Sequence, residues 1–274
     1  MNDNKITGHS QRKKPNKKRN LLIAILGIIL VVCIGMIASY YYKQYKGKQE
    51  YAKLKKQAAV ETEEKNDIDM QLPKENQEKE LVIPIDFEAL WKTNPDVYAW
   101  IEIPDTQVAY PILQSTKDVE DYYLDHTVER VAGLPGSIYT RRDTPKDFTH
   151  TNAVIYGHNM KNGSMFAGLH KYETENYMKE HPYIYIYTPE HIYKYEIFAA
   201  VTYSDILISS SFDFTTDAGL QQYVASLQDT KGMGDQYNEE VKIVPGDKLI
   251  TLSTCIANRP TNRFIVVAVQ RSEE

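Results

Sequence analysis

Thr251-Leu252-Ser253-Thr254-Cys255 is a β-prone run that ends in a cysteine, and eight residues later Arg263 opens a second apolar run, Phe264 to Val269. Both runs read as strands, so a thiol ends one and a guanidinium opens the other. The only other cysteine, Cys33, lies in an apolar stretch with the look of a membrane span. No disulfide between the two is expected, and the rest of the chain reads as support for the Cys255 thiol.

The chain has 274 residues and a formal net charge of −5. Its Lys and Arg do not gather into a stripe on the part that should fold, which argues against nucleic-acid binding. Tyrosine is abundant, with 21 residues. Many of them fall in β-prone runs, where aromatic rings suit a pleated, half-buried surface.

Four segments follow from composition. Residues 1–20 are polar and basic, with Arg12, Lys13, Lys14, Lys17, Lys18 and Arg19 against the start of an apolar run. From Leu21 to Ser39 no charge appears, and with Tyr40 to Tyr42 the stretch 21–42 reaches the length a helix needs to cross a bilayer. The three tyrosines suit an interfacial belt. A cleaved signal peptide is the competing reading, but the run is longer than a signal core. An uncleaved anchor is therefore expected, with residues 1–20 cytoplasmic and the remainder outside. Lysines flank both sides of the span, so charge counting alone does not orient it. Residues 43–84, rich in Lys, Glu, Gln and Ala, read as a solvated extracellular stalk. The catalytic domain is expected over 85–274, large enough to bury a core without disulfides or metal.

Within that domain Phe87, Leu90 and Trp91 fall at helical spacing and Asn94-Pro95 ends the helix. Short β-prone runs follow at Trp100–Ile103, Val108–Tyr110, Ser137–Tyr139 and Ala153–Tyr156. Two short helices are expected around Met165–Tyr172 and Glu175–Glu180. Runs at Tyr183–Tyr187 and Tyr193–Tyr203 flank a turn at Pro189-Glu190, and Leu220, Tyr223, Val224 and Leu227 mark a helix over Asp217–Leu227. Lys248–Ser253 and Phe264–Val269 complete the set. Many short strands with brief helical interruptions predict a closed, mostly β barrel.

A cysteine nucleophile must be ionised, and a free thiol needs a partner to be so at neutral pH. Histidine is the natural one. Of seven histidines, His158 stands out because Ile155-Tyr156-Gly157-His158-Asn159 places it where a strand run stops and a glycine permits a turn. His9, His126, His150, His170, His181 and His191 read as surface or packing residues. An arginine beside a thiol stabilises the oxyanion formed when that thiol attacks an amide. Arg263 is the candidate, with Arg259 the competitor nearer in sequence.

Thr-Leu-Ser-Thr-Cys followed by Asn262-Arg263-Phe264-Ile265-Val266-Val267-Ala268, with Tyr156-Gly157-His158 upstream, resembles the sortases, the cysteine transpeptidases of Gram-positive cell walls. The resemblance covers roughly Ile85 to Arg271 and implies the closed eight-stranded sortase β-barrel, with an N-terminal helix and short inserted helices. The anchor, the helix at Phe87–Trp91 and the long insertion before the cysteine strand make the chain most similar to class B.

By this resemblance Cys255 is the nucleophile, His158 the general acid or base, and Arg263 the holder of the substrate carbonyl and its oxyanion. Tyr156 and Ser253 match positions that line the peptide groove. No cofactor or metal is implied. The implied partners are surface proteins or pilins bearing a C-terminal sorting signal, cleaved after a Thr, and an acceptor amine of peptidoglycan or a pilin. Two departures stand out: Ile256 follows the cysteine where some class B enzymes have an acidic residue, and Tyr139-Thr140-Arg141-Arg142-Asp143 differs from the Asp-x-Arg-Asn pattern expected after Gly-Ser-Ile. Thr254, whose side chain should alternate away from Ser253, carries less weight. The alternatives are a broader-range housekeeping-type sortase, a mainly hydrolytic cysteine peptidase, and an inactive membrane-tethered assembly module.

Overall fold

The computed structural model describes residues 17–59 and 81–274. The basic segment up to residue 16 and the middle of the expected stalk, residues 60–80, lie outside the described residues. The chain divides into two units, Met1–Tyr45 and Lys46–Glu274.

Nine strands are formed among the described residues: β1 (Val97–Glu102), β2 (Ala109–Leu113), β3 (Ile138–Thr140), β4 (Asn152–Tyr156), β5 (Tyr183–Tyr187), β6 (Ile192–Ser204), β7 (Gln236–Tyr237), β8 (Leu249–Ile256) and β9 (Arg259–Glu273). Their hydrogen-bonded order is β5-β1-β2-β3-β4-β8-β9-β6-β7, and β5 also pairs with β6. That last pairing closes a ring of eight strands, with the two-residue β7 attached outside it on β6. Closure removes the free edges an open sheet would expose. The expected eight-stranded barrel is the observed one. Two pairings, β2 with β3 and β4 with β8, are parallel.

Strand alternation sorts the apolar residues onto two faces, and both faces are covered. On β8 and β9, Ile250, Leu252, Phe264, Val266 and Ala268 belong to the large central core. Their neighbours Leu249, Ile265, Val267 and Val269 belong to a second cluster with Leu220, Tyr223, Val224 and Leu227. Those four side chains line one face of α5 (Asp217–Gln228), whose N-terminus is capped by Thr216 accepting from Gly219 N at 3.1 Å. The Tyr223 hydroxyl meets Thr251 Oγ1 at 2.8 Å, so this polar side chain of β8 is satisfied against the helix. Of the other expected helices, α2 is Phe87–Thr93, and α3 is Glu175–Glu180. The segment expected around Met165–Tyr172 is instead a 3₁₀ helix, Phe166–Glu173. A further short helix, α4 (Ile208–Ser211), was not legible in the periodicity.

Helix α1 spans Lys17–Ala58, and its N-terminal part is long and apolar enough to cross a membrane, with a mean hydropathy of 3.2 over its most apolar stretch. The segment from Lys46 onward is not a wholly solvated stalk. Tyr51, Leu54 and Ala58 are buried in the central core, and Asp86 N donates to Ala58 O at 2.9 Å. The Tyr51 hydroxyl donates to Gly136 O at 2.7 Å, and its ring packs edge-on against Tyr110. The spacing i, i+3, i+7 is helical, but it supplies only one apolar side chain per turn among lysines, glutamates and glutamines, too narrow a stripe to stand out in the sequence. Leu54 is 2 % exposed. Leu54→Ala is expected to destabilise the folded domain by about 2–4 kcal/mol, read as a lower urea midpoint. An unchanged midpoint would show this part of α1 to be undocked in solution.

Candidate active site

The site forms where β4 and β8 end side by side and β9 begins. Tyr156, the last residue of β4, is the register partner of Ser253 on β8. Two residues on, Cys255 lies directly across from Arg263 on β9. Ser253 and Cys255 therefore share a face, and a register shift between Cys255 and Ile256 ends the regular ladder immediately after the thiol. Cys255 is exposed. A cleft of about 430 Å³ is lined by Cys255, His158, Arg263, Tyr156 and Ser253 together. All five residues singled out in the sequence thus converge. Arg259 lies outside the cleft, paired with Ile256 in the turn between β8 and β9.

His158 follows β4 by two residues. Gly157 does not adopt a left-handed φ. Its hydrogen side is filled by Ile138 and Phe166, which a Cβ would strike, so the glycine serves close packing rather than turn geometry. His158 Nε2 lies 2.6 Å from the carbonyl oxygen of Leu124. A carbonyl only accepts, so Nε2 carries the proton and Nδ1 is left as the basic nitrogen of the neutral ring. Arg263 donates from Nη1 to Pro260 O and Asn262 O, both at 2.9 Å. The turn's own carbonyls thereby hold the guanidinium at the cleft.

The cleft's lining also includes Asp121, Tyr139 and Arg141. Arg141 Nη1 meets both Asp121 oxygens, at 3.2 and 3.0 Å, and the Tyr139 hydroxyl donates to the same carboxylate at 3.1 Å. The Tyr139 and Tyr156 rings stack with centroids 5.5 Å apart. Burial pushes the Tyr156 phenol up to about 12, with Arg141 opposing the shift. It remains a neutral hydrogen-bonding group and not a base. The segment that departs from the family pattern is thus tied to Asp121. Thr254 also lines the cleft, 2 % exposed, and its Oγ1 has no protein partner.

Three groups here had no signal in the sequence: the Leu124 carbonyl, the Asp121 to Arg141 pair, and His170, read as a packing residue. His170 Nε2 is 3.1 Å from the carbonyl oxygen of Cys255 itself. Among the described residues, no group of three or more His, Cys, Asp or Glu is placed to hold a metal ion.

Comparison with known proteins gives one family. Residues 101–271 match the model of the Sortase domain. Sortase B of Listeria monocytogenes is 39% identical over 168 residues, covering 61% of this chain and 65% of that protein, so the matched part spans just under two thirds of the relative's length. Sortase B of Staphylococcus aureus is 29% identical over 252 residues, covering 90% and 94% of the two chains. The crystal structure of sortase B from B. anthracis in complex with AAEK1 superposes with a TM-score of 0.65 at 26% identity, covering 84% of this chain and 98% of that one.

Proposed function

The chain belongs to the sortase family, whose members are cysteine transpeptidases, and is most like class B; from that membership and the cleft we propose that it cleaves a C-terminal sorting signal after a Thr and transfers the protein to an amine. The Cys255 thiolate attacks the carbonyl carbon, and the electron pair moves onto the oxygen beside the Arg263 guanidinium. The intermediate collapses, the C–N bond breaks, and His158, which holds the thiol's proton on Nδ1, gives it to the departing amine. An acyl group remains on sulfur as a thioester. An incoming amine of peptidoglycan or of a pilin attacks that thioester, its proton passes to His158, and the C–S bond breaks to release the thiolate. Arg263 stays charged throughout, so it stabilises the oxyanion without moving protons. Tyr156 and Ser253 line the groove that takes the peptide.

One observation carries this reading: the exposed thiol and the arginine are cross-strand partners at the rim of a cleft that also holds the histidine. We further propose that the apolar part of α1 anchors the protein as a single span, with the catalytic unit on the extracellular face. Residues 1–20 form the cytoplasmic tail, 21–42 the span and 85–274 the core of the catalytic domain.

The test uses the full chain in detergent micelles, incubated with sorting peptides including the Asn-Pro-Gln-Thr type, with and without a primary amine. The expected result is an acyl adduct on the protein by intact mass, chased to a peptide–amine product. Adducts lost only to water point to a hydrolytic peptidase. No adduct on a thiol that alkylates readily sets aside these substrates, and a thiol inert to both favours the inactive assembly module.

A further inference from the structure

β8 runs three residues, Thr254 to Ile256, past Ser253, the register partner of the last residue of its parallel neighbour β4. The last backbone rung between them is Gly157 N donating to Ser253 O at 3.1 Å. In a parallel ladder the next rung would bring a backbone N–H to Cys255 O, but the chain has turned away at Gly157 and His158. That carbonyl, on the residue that bears the thiol, is met by side chains instead. Asn159 Nδ2 donates to it at 3.0 Å, and His170 Nε2 lies 3.1 Å from it. The same Asn159 nitrogen is 3.0 Å from His170 Nε2. On its other side His170 places Nδ1 2.8 Å from Glu173 Oε1. Its ring stacks on Phe264, the neighbour of Arg263, with centroids 4.9 Å apart and planes at 24°.

We infer that His170, held by Glu173, is a positioning residue which, with Asn159, fixes the Cys255 carbonyl and so the thiol relative to His158 and Arg263. The ring is tied to the Cys255 strand end in either protonation state, though not through the same set of hydrogen bonds. With the proton on Nδ1 donated to Glu173, Nε2 accepts one Asn159 amide hydrogen while the other goes to Cys255 O. With both nitrogens protonated, Nε2 donates to Cys255 O directly. Asn159 follows His158 in the chain, so one cluster ties the loop carrying the acid-base candidate to the strand end carrying the nucleophile. A strand end held at this point only on its β9 side would let the sulfur wander, and small misplacements of reacting groups cost rate steeply. The inference rests on Cys255 being the nucleophile, as proposed above.

The discriminating pair is His170→Phe, which keeps a ring to stack on Phe264 but has no polar atom, and His170→Gln, which supplies a donor and an acceptor at a similar reach. Both are compared with the unaltered full chain in micelles for kcat, KM, thermal midpoint and the rate of Cys255 alkylation. His170→Phe is expected to lower kcat about tenfold, with KM and the thermal midpoint near those of the unaltered chain. His170→Gln is expected to recover kcat to within about threefold, which a role in packing alone would not produce. A kcat for His170→Phe within twofold of the unaltered chain overturns the inference, as does a loss in both variants that follows the thermal midpoint. If the unaltered chain alkylates at Cys255 but acylates with no peptide, the substrate reading has failed. The inference then stands or falls on the alkylation rate, expected to change in His170→Phe and to be restored in His170→Gln; an equal rate in all three overturns it.

Discussion

Cys255→Ala leaves a folded protein that forms no peptide adduct and loses transpeptidation by at least about 10⁴-fold. The size of the loss follows from what the sulfur does. On the proposed mechanism the cleft, arginine and histidine survive the substitution, so the peptide is expected still to bind with its carbonyl polarised, but no atom remains to accept the acyl group. Water is a far poorer nucleophile than a thiolate, so direct hydrolysis does not make up for the lost attack. Stability is expected to change by no more than about 0.5 kcal/mol, because the thiol is exposed and its removal opens no cavity in the core. The measurement is intact mass after peptide and, separately, after an alkylating reagent. The other cysteine, Cys33, lies within the apolar helix in unit Met1–Tyr45. An adduct that persists in Cys255→Ala would place the nucleophile elsewhere and remove the basis of the mechanism.

The cleft's reactive centre was readable because three short motifs each lie within a few residues of a strand end: Tyr156-Gly157-His158, Thr251 to Cys255, and Arg263 onward. Each keeps its chemistry within a few residues of a β-prone run, and the barrel brings those ends together. The remainder of the site depends on contacts without any local pattern. His158 meets the Leu124 carbonyl across 34 residues, and Cys255 meets His170 across 85 and Asn159 across 96. A backbone carbonyl has no residue signature at all, and a lone histidine in a 3₁₀ helix looks like any packed ring. The Asp121 to Arg141 pair is hidden for the same reason, since neither residue sits at a spacing that names the other.

The fold shows the same division between local and distant information. Strand cores were visible, but β8 continues to Ile256 and β9 runs from Arg259 to Glu273, well beyond the apolar Phe264 to Val269. The polar ends of β9 are strand because the long β6 pairs with them, from Ser204 opposite Asn262 to Tyr193 opposite Glu273. Pairing, not side-chain polarity, sets their conformation. On α1 the docked stretch escaped notice because Tyr51, Leu54 and Ala58 form a seam one residue wide. Such a seam gains its meaning only from the surface it meets, here Gly136 and Tyr110.

His158→Ala is expected to lower kcat for an amide-bonded sorting peptide by about 10³-fold, while an acyl donor with an activated ester leaving group suffers far less. The difference isolates the step that the imidazole serves. An amine leaves as a strong base unless it is protonated as the C–N bond breaks, and on the proposed mechanism His158, which lines the cleft, supplies that proton. An activated alkoxide leaves without that proton, so its acylation needs only the thiolate and Arg263. Because Nε2–H is spent on the Leu124 carbonyl at 2.6 Å, the proton exchanged with substrate belongs to Nδ1. Single-turnover acylation of His158→Ala with matched amide and ester donors measures the two losses side by side. Equal losses for the two donors would show that His158 acts on the thiol alone, by holding it ionised, and not on the leaving group. A loss confined to the amide, with alkylation of Cys255 little changed, assigns His158 the general-acid role and leaves thiol ionisation to the Arg263 side of the cleft.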